Sequence, residues 1–224
     1  MTFAIIVFPG SNCDHDSFYV LNDLLNIKSE YVWHKETSLN KFDAILIPGG
    51  FSYGDYLRTG AIARFSPVMN EVIKGAKSGK PIFGICNGFQ ILIEAGLLPG
   101  ALIINKKVKF LSQDVTIEVS TNDSIFTKKL LENQKLKMPI AHKQGNFIAD
   151  QKTLQQLQDE DRIAFRYVKN HKGNPNGSID RVAGILNSGR NVLGMMPHPE
   201  RASESILGSD DGINIFKSMI ETLA

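Results

Sequence analysis

The ten residues Pro81-Ile82-Phe83-Gly84-Ile85-Cys86-Asn87-Gly88-Phe89-Gln90 decide how the rest of the chain is read. Pro81 to Ile85 is a short apolar run that fits one buried strand. The apolar positions Phe89, Ile91, Leu92 and Ile93 that follow fit a helix packed behind it. Cys86 then sits on the turn between the two. A Gly-x-Cys-x-Gly pattern is the cysteine counterpart of the nucleophile elbow, a sharp strand-to-helix turn that holds its central side chain up for reaction. Gly84 and Gly88 flank the cysteine because a Cβ at either place would collide as strand and helix close on each other. Unpaired N–H groups at a helix N-terminus carry partial positive charge, which favours a thiolate placed there. The plainer reading of Cys86 is a small buried core residue.

Downstream of the elbow, Val192 to Met196 is the last buried run and delivers Pro197-His198-Pro199-Glu200 at its end. Prolines on both sides of His198 restrict the backbone where an imidazole has to be aimed. Cys86, His198 and Glu200 together supply a thiol, a base to take its proton and a carboxylate to hold that base in one tautomer. Upstream, Ala44 to Ile47 ends in Pro48-Gly49-Gly50-Phe51. Paired glycines after a buried strand leave backbone N–H groups free to face a ligand, as an oxyanion hole requires, or they make a plain tight turn. Phe3 to Phe8 is a further buried run that stops at Pro9-Gly10, so Ser11-Asn12-Cys13-Asp14-His15-Asp16 lies at the sheet edge where α/β proteins bind ligands. Asp14 and Asp16 are placed to cap a helix from Ser17 to Leu25. The roles of Cys13 and His15 stay open.

The remaining pattern makes one α/β domain over residues 1–224. Tyr31 to Trp33 is a strand and Val68 to Ser78 a helix, with Gly96 and Pro99-Gly100 closing the elbow unit. Val115 to Val119 alternates with period two, as a half-exposed strand does. Thr121 to Leu131 has a polar, helix-compatible pattern. Met138 to His142 reads as a strand running towards Gly145, and Ile163 to Val168 as another. Asn174-Pro175-Asn176-Gly177-Ser178 is a turn leading to Val182–Leu186, which predicts an antiparallel pair. The parallel first half therefore passes into a mixed sheet. Ile213 to Leu223 is an amphipathic helix over it.

Composition is that of an ordinary globular chain, with 42% hydrophobic and 21% charged residues among 224 and a formal charge of +2. No basic run marks a nucleic-acid surface, and no apolar stretch reaches the ~18 residues of a membrane span. Two cysteines make no disulfide framework. A chain that uses one as a thiolate belongs in a reducing compartment, and with no secretory signal pattern the expected location is cytoplasmic. The five histidines are scattered and do not pair with the cysteines at ligand spacing, so no metal is expected. Gly75-Ala76-Lys77-Ser78-Gly79-Lys80 lacks the phosphate-loop spacing, so no ATP site is expected either.

Gly84 to Gln90 and Met196 to Glu200, in that order, resemble the nucleophile and distal His-x-Glu motifs of the class I (triad) glutamine amidotransferases. Phe51 to Ala63, with Pro9 to Asp14 and Asn174 to Ser178, narrows the resemblance to the glutaminase subunits of phosphoribosylformylglycinamidine synthase, the PurQ group, over essentially the whole chain. The resemblance implies a flavodoxin-like α/β fold, a mostly parallel mixed sheet flanked by helices. It implies hydrolysis of the side-chain amide of L-glutamine through a Cys86 thioester, with His198 moving the proton and Glu200 orienting it. Backbone N–H groups of Gly50 and Asn87 would hold the oxyanion, and Gly49, Phe51 and Gln90 would complete the substrate site. No cofactor is implied in this chain. ATP and magnesium would serve a separate PurL-like synthetase that receives the ammonia, with a small PurS-like third subunit. Docking would engage the run Ser52 to Arg58, with Tyr53 and Arg58 as contacts. His142-Lys143-Gln144-Gly145 departs from the His-Gly-Glu-Gly usual there. The competing readings are a stand-alone cysteine hydrolase of the γ-glutamyl peptidase or deglycase-like kind, and a non-catalytic regulatory module.

Overall fold

The computed structural model describes residues 1–168 and 174–223. In chain order its main elements are β1 (Thr2–Val7), α1 (Asp14–Tyr19), β2 (Lys28–Trp33), β3 (Ala44–Ile47), α2 (Pro67–Lys77), β4 (Ile82–Ile85), α3 (Asn87–Glu94) and β5 (Ala101–Ile104). They continue with β6 (Leu111–Val119), β7 (Lys135–His142), β8 (Gln144–Ile148), α4 (Gln151–Asp159), β9 (Ile163–Tyr167), β10 (Val182–Leu186), β11 (Val192–Met195) and α5 (Ile213–Leu223). Nine of these strands form one sheet in the order β2-β1-β3-β4-β11-β10-β9-β6-β7.

The sheet changes character at β11. From β2 to β11 every neighbouring pair is parallel, and from β11 to β7 every pair is antiparallel. The parallel part is covered on both faces, so all four residues of β3, β4 and β11 are buried, which is why they read as unbroken apolar runs. The antiparallel flank alternates instead. In β7, Leu136, Met138, Ile140 and His142 face inward while Lys135 and Lys137 are exposed. β9 and β10 pair antiparallel, as the turn at 174–178 predicts.

Three elements were not anticipated. β5 and β8 pair in a small separate sheet, and α4 follows from an Asp150 cap whose carboxylate accepts the Thr153 N–H at 2.7 Å. Two local expectations fail. The segment 121–131 is a series of turns, because the Ser124 hydroxyl bonds Thr127 Oγ1 and the Phe126 N–H and so competes with helical pairing. The helix after β1 starts at Asp14 and not Ser17, with Cys13 at the cap position and no side-chain cap bond. Asp16 turns away and pairs with Arg201 at 3.0 Å.

Candidate active site

The elbow stands where the sheet is most constrained. β4 lies between β3 and β11, and Ile85 pairs with Met195. Just beyond, Cys86 takes φ 50° and ψ −102°, a backbone state that costs a side-chain-bearing residue energy and persists only when the surroundings impose it. They do. A Cβ on Gly88 would run into the Ile47 carbonyl, and one on Gly84 would lie 2.8 Å from the Gly88 backbone. The Cys86 N–H donates to Met195 O at 2.8 Å, which ties the cysteine to the strand that leads to His198. Its thiol faces the Ala141 carbonyl at 3.6 Å.

His198 and Glu200 are both buried, on the short turn that follows β11. The His198 Nδ1 and Glu200 Oε1 atoms are 2.5 Å apart. Burial alone would depress the imidazole's proton affinity, but the Glu200 carboxylate and the Cys86 sulfur raise it well above the ordinary histidine value. With Nδ1 held by the carboxylate, Nε2 is left without a partner among the described residues. His198 and Cys86 line one half-open cavity of about 180 Å³, together with Asn12, Cys13, Gly50, Phe51, Phe110, Ala141 and Arg201.

The five residues expected to bind substrate separate into two groups. Gly50 lines the cavity at φ 141°, and among the described residues no hydrogen bond uses its N–H. Asn87 opens α3, so its N–H has no acceptor one turn earlier within the helix. Both are therefore available as donors. The Phe51 N–H is not, because Gly10 O takes it at 3.2 Å, and Phe51 instead contributes a ring stacked on Phe110 at the cavity. Gly49 acts as a seat for the base: a Cβ there would come within 2.7 Å of His198 Cε1. Gln90 is turned to internal bonds, donating to Gln144 O at 2.6 Å and accepting from Asn87 Nδ2 at 2.9 Å. Gln90 is thus a buried helix residue bonded to a neighbouring segment, and it is not among the cavity residues.

The structure adds residues that sequence reasoning left out. Cys13 enters the cavity with Arg201 Nη2 3.0 Å from its sulfur, and burial pushes its thiol pKa up. The loop from Asn105 to Phe110 is held by Asn105, whose amide donates to Lys109 O and His142 O, both at 2.9 Å. His142 packs its ring over Gly145 and bonds Asn105, and burial pushes its pKa down to about 3, so it is neutral. Gln144, which stands in the place of the usual acid, accepts the Thr59 hydroxyl at 2.7 Å. The Tyr53 hydroxyl bonds His34 and Ser66, and Arg58 grips Glu94 through two contacts of 2.7 Å. Tyr53 is thus bonded within the chain, while Arg58 pairs with Glu94 at the surface and stays 62% exposed. The neighbouring Tyr56 and Leu57 are the side chains left open, 71% and 81% exposed.

The sequence and fold have counterparts among known proteins. The sequence model of the CobB/CobQ-like glutamine amidotransferase domain matches residues 1–214. A solved chain described as PurLQS from Thermotoga maritima is 42% identical, covers 100% of this chain and 99% of its own, and superposes with a TM-score of 0.89. A putative GMP synthase component from Thermoplasma acidophilum is 19% identical over 100% of this chain and 94% of its own, with a TM-score of 0.64. A glutamine amidotransferase from Thermotoga maritima is 14% identical over 100% and 97%, with a TM-score of 0.61. The last two share the fold. The chain belongs to the CobB/CobQ-like glutamine amidotransferase family, enzymes that use glutamine as a nitrogen donor.

Proposed function

We propose that this chain is the glutaminase subunit of a phosphoribosylformylglycinamidine synthase, the enzyme of purine biosynthesis that converts formylglycinamide ribonucleotide to formylglycinamidine ribonucleotide. The end-to-end similarity to the PurLQS chain carries the assignment. The buried His198–Glu200 pair beside Cys86 supports the chemistry. Cys86 attacks the side-chain amide carbon of L-glutamine, and the N–H groups of Gly50 and Asn87 receive the developing oxyanion, where one such donor is worth about 3 kcal/mol. His198 protonates the departing ammonia, leaving a γ-glutamyl thioester on Cys86. The same imidazole then activates water and glutamate leaves. Glu200 holds the imidazole in one tautomer throughout.

The ammonia passes to a PurL-like synthetase that uses ATP and magnesium, with a small PurS-like third subunit in the assembly. The chain itself needs no cofactor for this reaction, and its place is the cytoplasm. None of its described helices is long and apolar enough to cross a membrane. Docking uses the surface around Tyr56 and Leu57, which adjoins Phe51 and Phe110 through the 51–57 segment. The test is glutamate release by the full chain with and without synthetase, its nucleotide and formylglycinamide ribonucleotide. The expected result is a rise in kcat of at least about tenfold, equal to ~1.4 kcal/mol of barrier. Full activity in the isolated chain that no synthetase alters would refute the subunit reading and favour a stand-alone hydrolase.

A further inference from the structure

The reaction makes no use of four lysines that gather near its cavity. Lys106, Lys107 and Lys109 surround Val108 in the loop between β5 and β6, and Lys143 joins them from the turn between β7 and β8, where its carbonyl takes the Asn105 N–H at 2.9 Å. All four are exposed. Residues 101–113 and 139–149 contain no acid, and no ion pair among the described residues uses any of the four lysines. Asp114, the nearest acid along the chain to the loop, is paired with Lys137. Apolar groups stand among the charges: Val108 is 66% exposed, with Ile104 and Phe110 open on either side of the loop. The loop is held in a strained shape. Val108 has φ 58°, a state that a β-branched residue keeps only when its surroundings impose it. Here the buried Asn105 holds Lys109 O and His142 O, and the Asn176 carbonyl takes the Lys106 N–H at 2.9 Å. Side chains displayed on a fixed loop cost less ordering on binding than the same side chains on a loose one.

We propose that Lys106, Lys107, Lys109 and Lys143, set around Val108, are the electrostatic half of the docking surface, and that they receive an acidic patch with an apolar socket on the synthetase. Two observations choose this occupant. Unpaired cations in a region without acids are complementary to a surface of the opposite sign, which steers encounter and fixes the partner's register. The patch is also continuous with the cavity mouth, because Phe110 ends the loop, lines the cavity and stacks on Phe51, whose own segment runs on to Tyr56 and Leu57. A partner that takes ammonia from the cavity has to cover that mouth, and so meets the lysines. The charge asymmetry stands on the structure alone, whereas the choice of partner rests on the glutaminase-subunit reading above.

The test is the rate at which the full chain associates with the synthetase, in the presence of its nucleotide and formylglycinamide ribonucleotide, at low and at high salt. The double variant Lys107→Glu/Lys143→Glu should associate at least about tenfold more slowly at low salt, within the range that electrostatic steering supplies. It should also lose the fall in rate that the wild-type chain shows as salt screens the charges. Lys107→Arg/Lys143→Arg should retain both the rate and its salt dependence. Neither lysine lines the cavity, so glutamate release without synthetase should be the same in all three proteins, which also shows that the variants fold. An association rate and salt dependence unchanged in the Glu variant would overturn the proposal. Tighter binding of the wild-type chain to a single-stranded oligonucleotide than to the synthetase would overturn it as well, in favour of a nucleic-acid surface. A wild-type chain that binds no synthetase at all would overturn the subunit reading itself, and this choice of partner with it.

Discussion

The loop after β1 and the turn after β4 each bring a cysteine to the same imidazole, and they do so in opposite ways. Cys13 sits in an ordinary backbone state, φ −102°, at the start of a helix of 6 residues. Its sulfur is enclosed by polar neighbours, Asn12 Oδ1 at 3.4 Å and Arg201 Nη2 at 3.0 Å, and its proton is held more tightly by burial. Cys86 is held at φ 50° against a wall of backbone, and its thiol lies 3.6 Å from the Ala141 carbonyl and close enough to His198 to raise that imidazole's proton affinity. Nearness to a histidine therefore does not by itself select a nucleophile. What differs is the strained turn, which fixes the direction of the Cys86 side chain at the N-terminus of α3 and so supports the proposed assignment of Cys86 as nucleophile.

The largest effect that would break this comparison is at the elbow. Cys86→Ala should lower glutamate release by at least about 10⁴-fold, as loss of a nucleophile does in triad enzymes, and abolish the thioester seen by mass spectrometry. In the wild-type chain a glutamine-mimicking electrophile such as diazo-oxo-norleucine should label Cys86 and leave Cys13 largely untouched by peptide mapping. Predominant labelling at Cys13 would reverse the assignment. Next come the two members of the base pair. His198→Ala should cost more than Glu200→Gln, although an orienting acid can still matter by up to ~10⁴ in rate. Single-turnover thioester formation measures it, and a silent Glu200→Gln would mean that another acid orients the imidazole.

A smaller effect is expected at Gly49, the seat of the imidazole that both cysteines approach. Gly49→Ala would place a methyl 2.7 Å from His198 Cε1 and 3.1 Å from the Cys13 sulfur. Displacing the imidazole by that much should lower kcat by about 10²-fold with KM for glutamine much less altered. Equal loss in both would point to a collapsed pocket. The smallest effect belongs to Cys13→Ala, which should cost less than about tenfold in kcat, under ~1.4 kcal/mol of barrier. A loss as great as that of Cys86→Ala would erase the distinction between the two loops.

How much of this was legible in the sequence depends on how each element is buried. β3 and β10 occupy the predicted residues, 44–47 and 182–186, and β1, β4 and β11 differ from their predicted spans by a residue or so at the ends. Full burial makes such strands uniform runs of apolar residues. β5 escaped notice because Ile103 and Ile104 are exposed, so the segment looks like the start of a loop, and α4 because glutamines dominate it and only Leu157 is buried. The site divides likewise. Cys86, His198 and Glu200 carry local signals, a glycine pair and a proline pair, that show in the chain itself. Cys13, Phe110 and Arg201 reach the cavity only through folding, and Gln90 has a motif position but spends its amide on Gln144. Phe51 reaches the cavity from the strand-end location that the sequence marks, with its ring and not its N–H, which Gly10 O takes.

The pairing of Ile85 with Met195, extended by the bond from the Cys86 N–H to Met195 O, joins positions nearly half the chain apart. Until β11 docks beside β4, a refolding chain has an elbow but no base near it. Long-range parallel pairing of this kind is slow because the intervening chain must be closed into a loop first. Recovered catalysis is therefore a clock for β11 docking, whereas helix content, set by local contacts, returns earlier. Under the proposed mechanism, a chain caught between those two moments carries a thiol without its proton acceptor, and so cannot consume glutamine before it is folded enough to hand the nitrogen on.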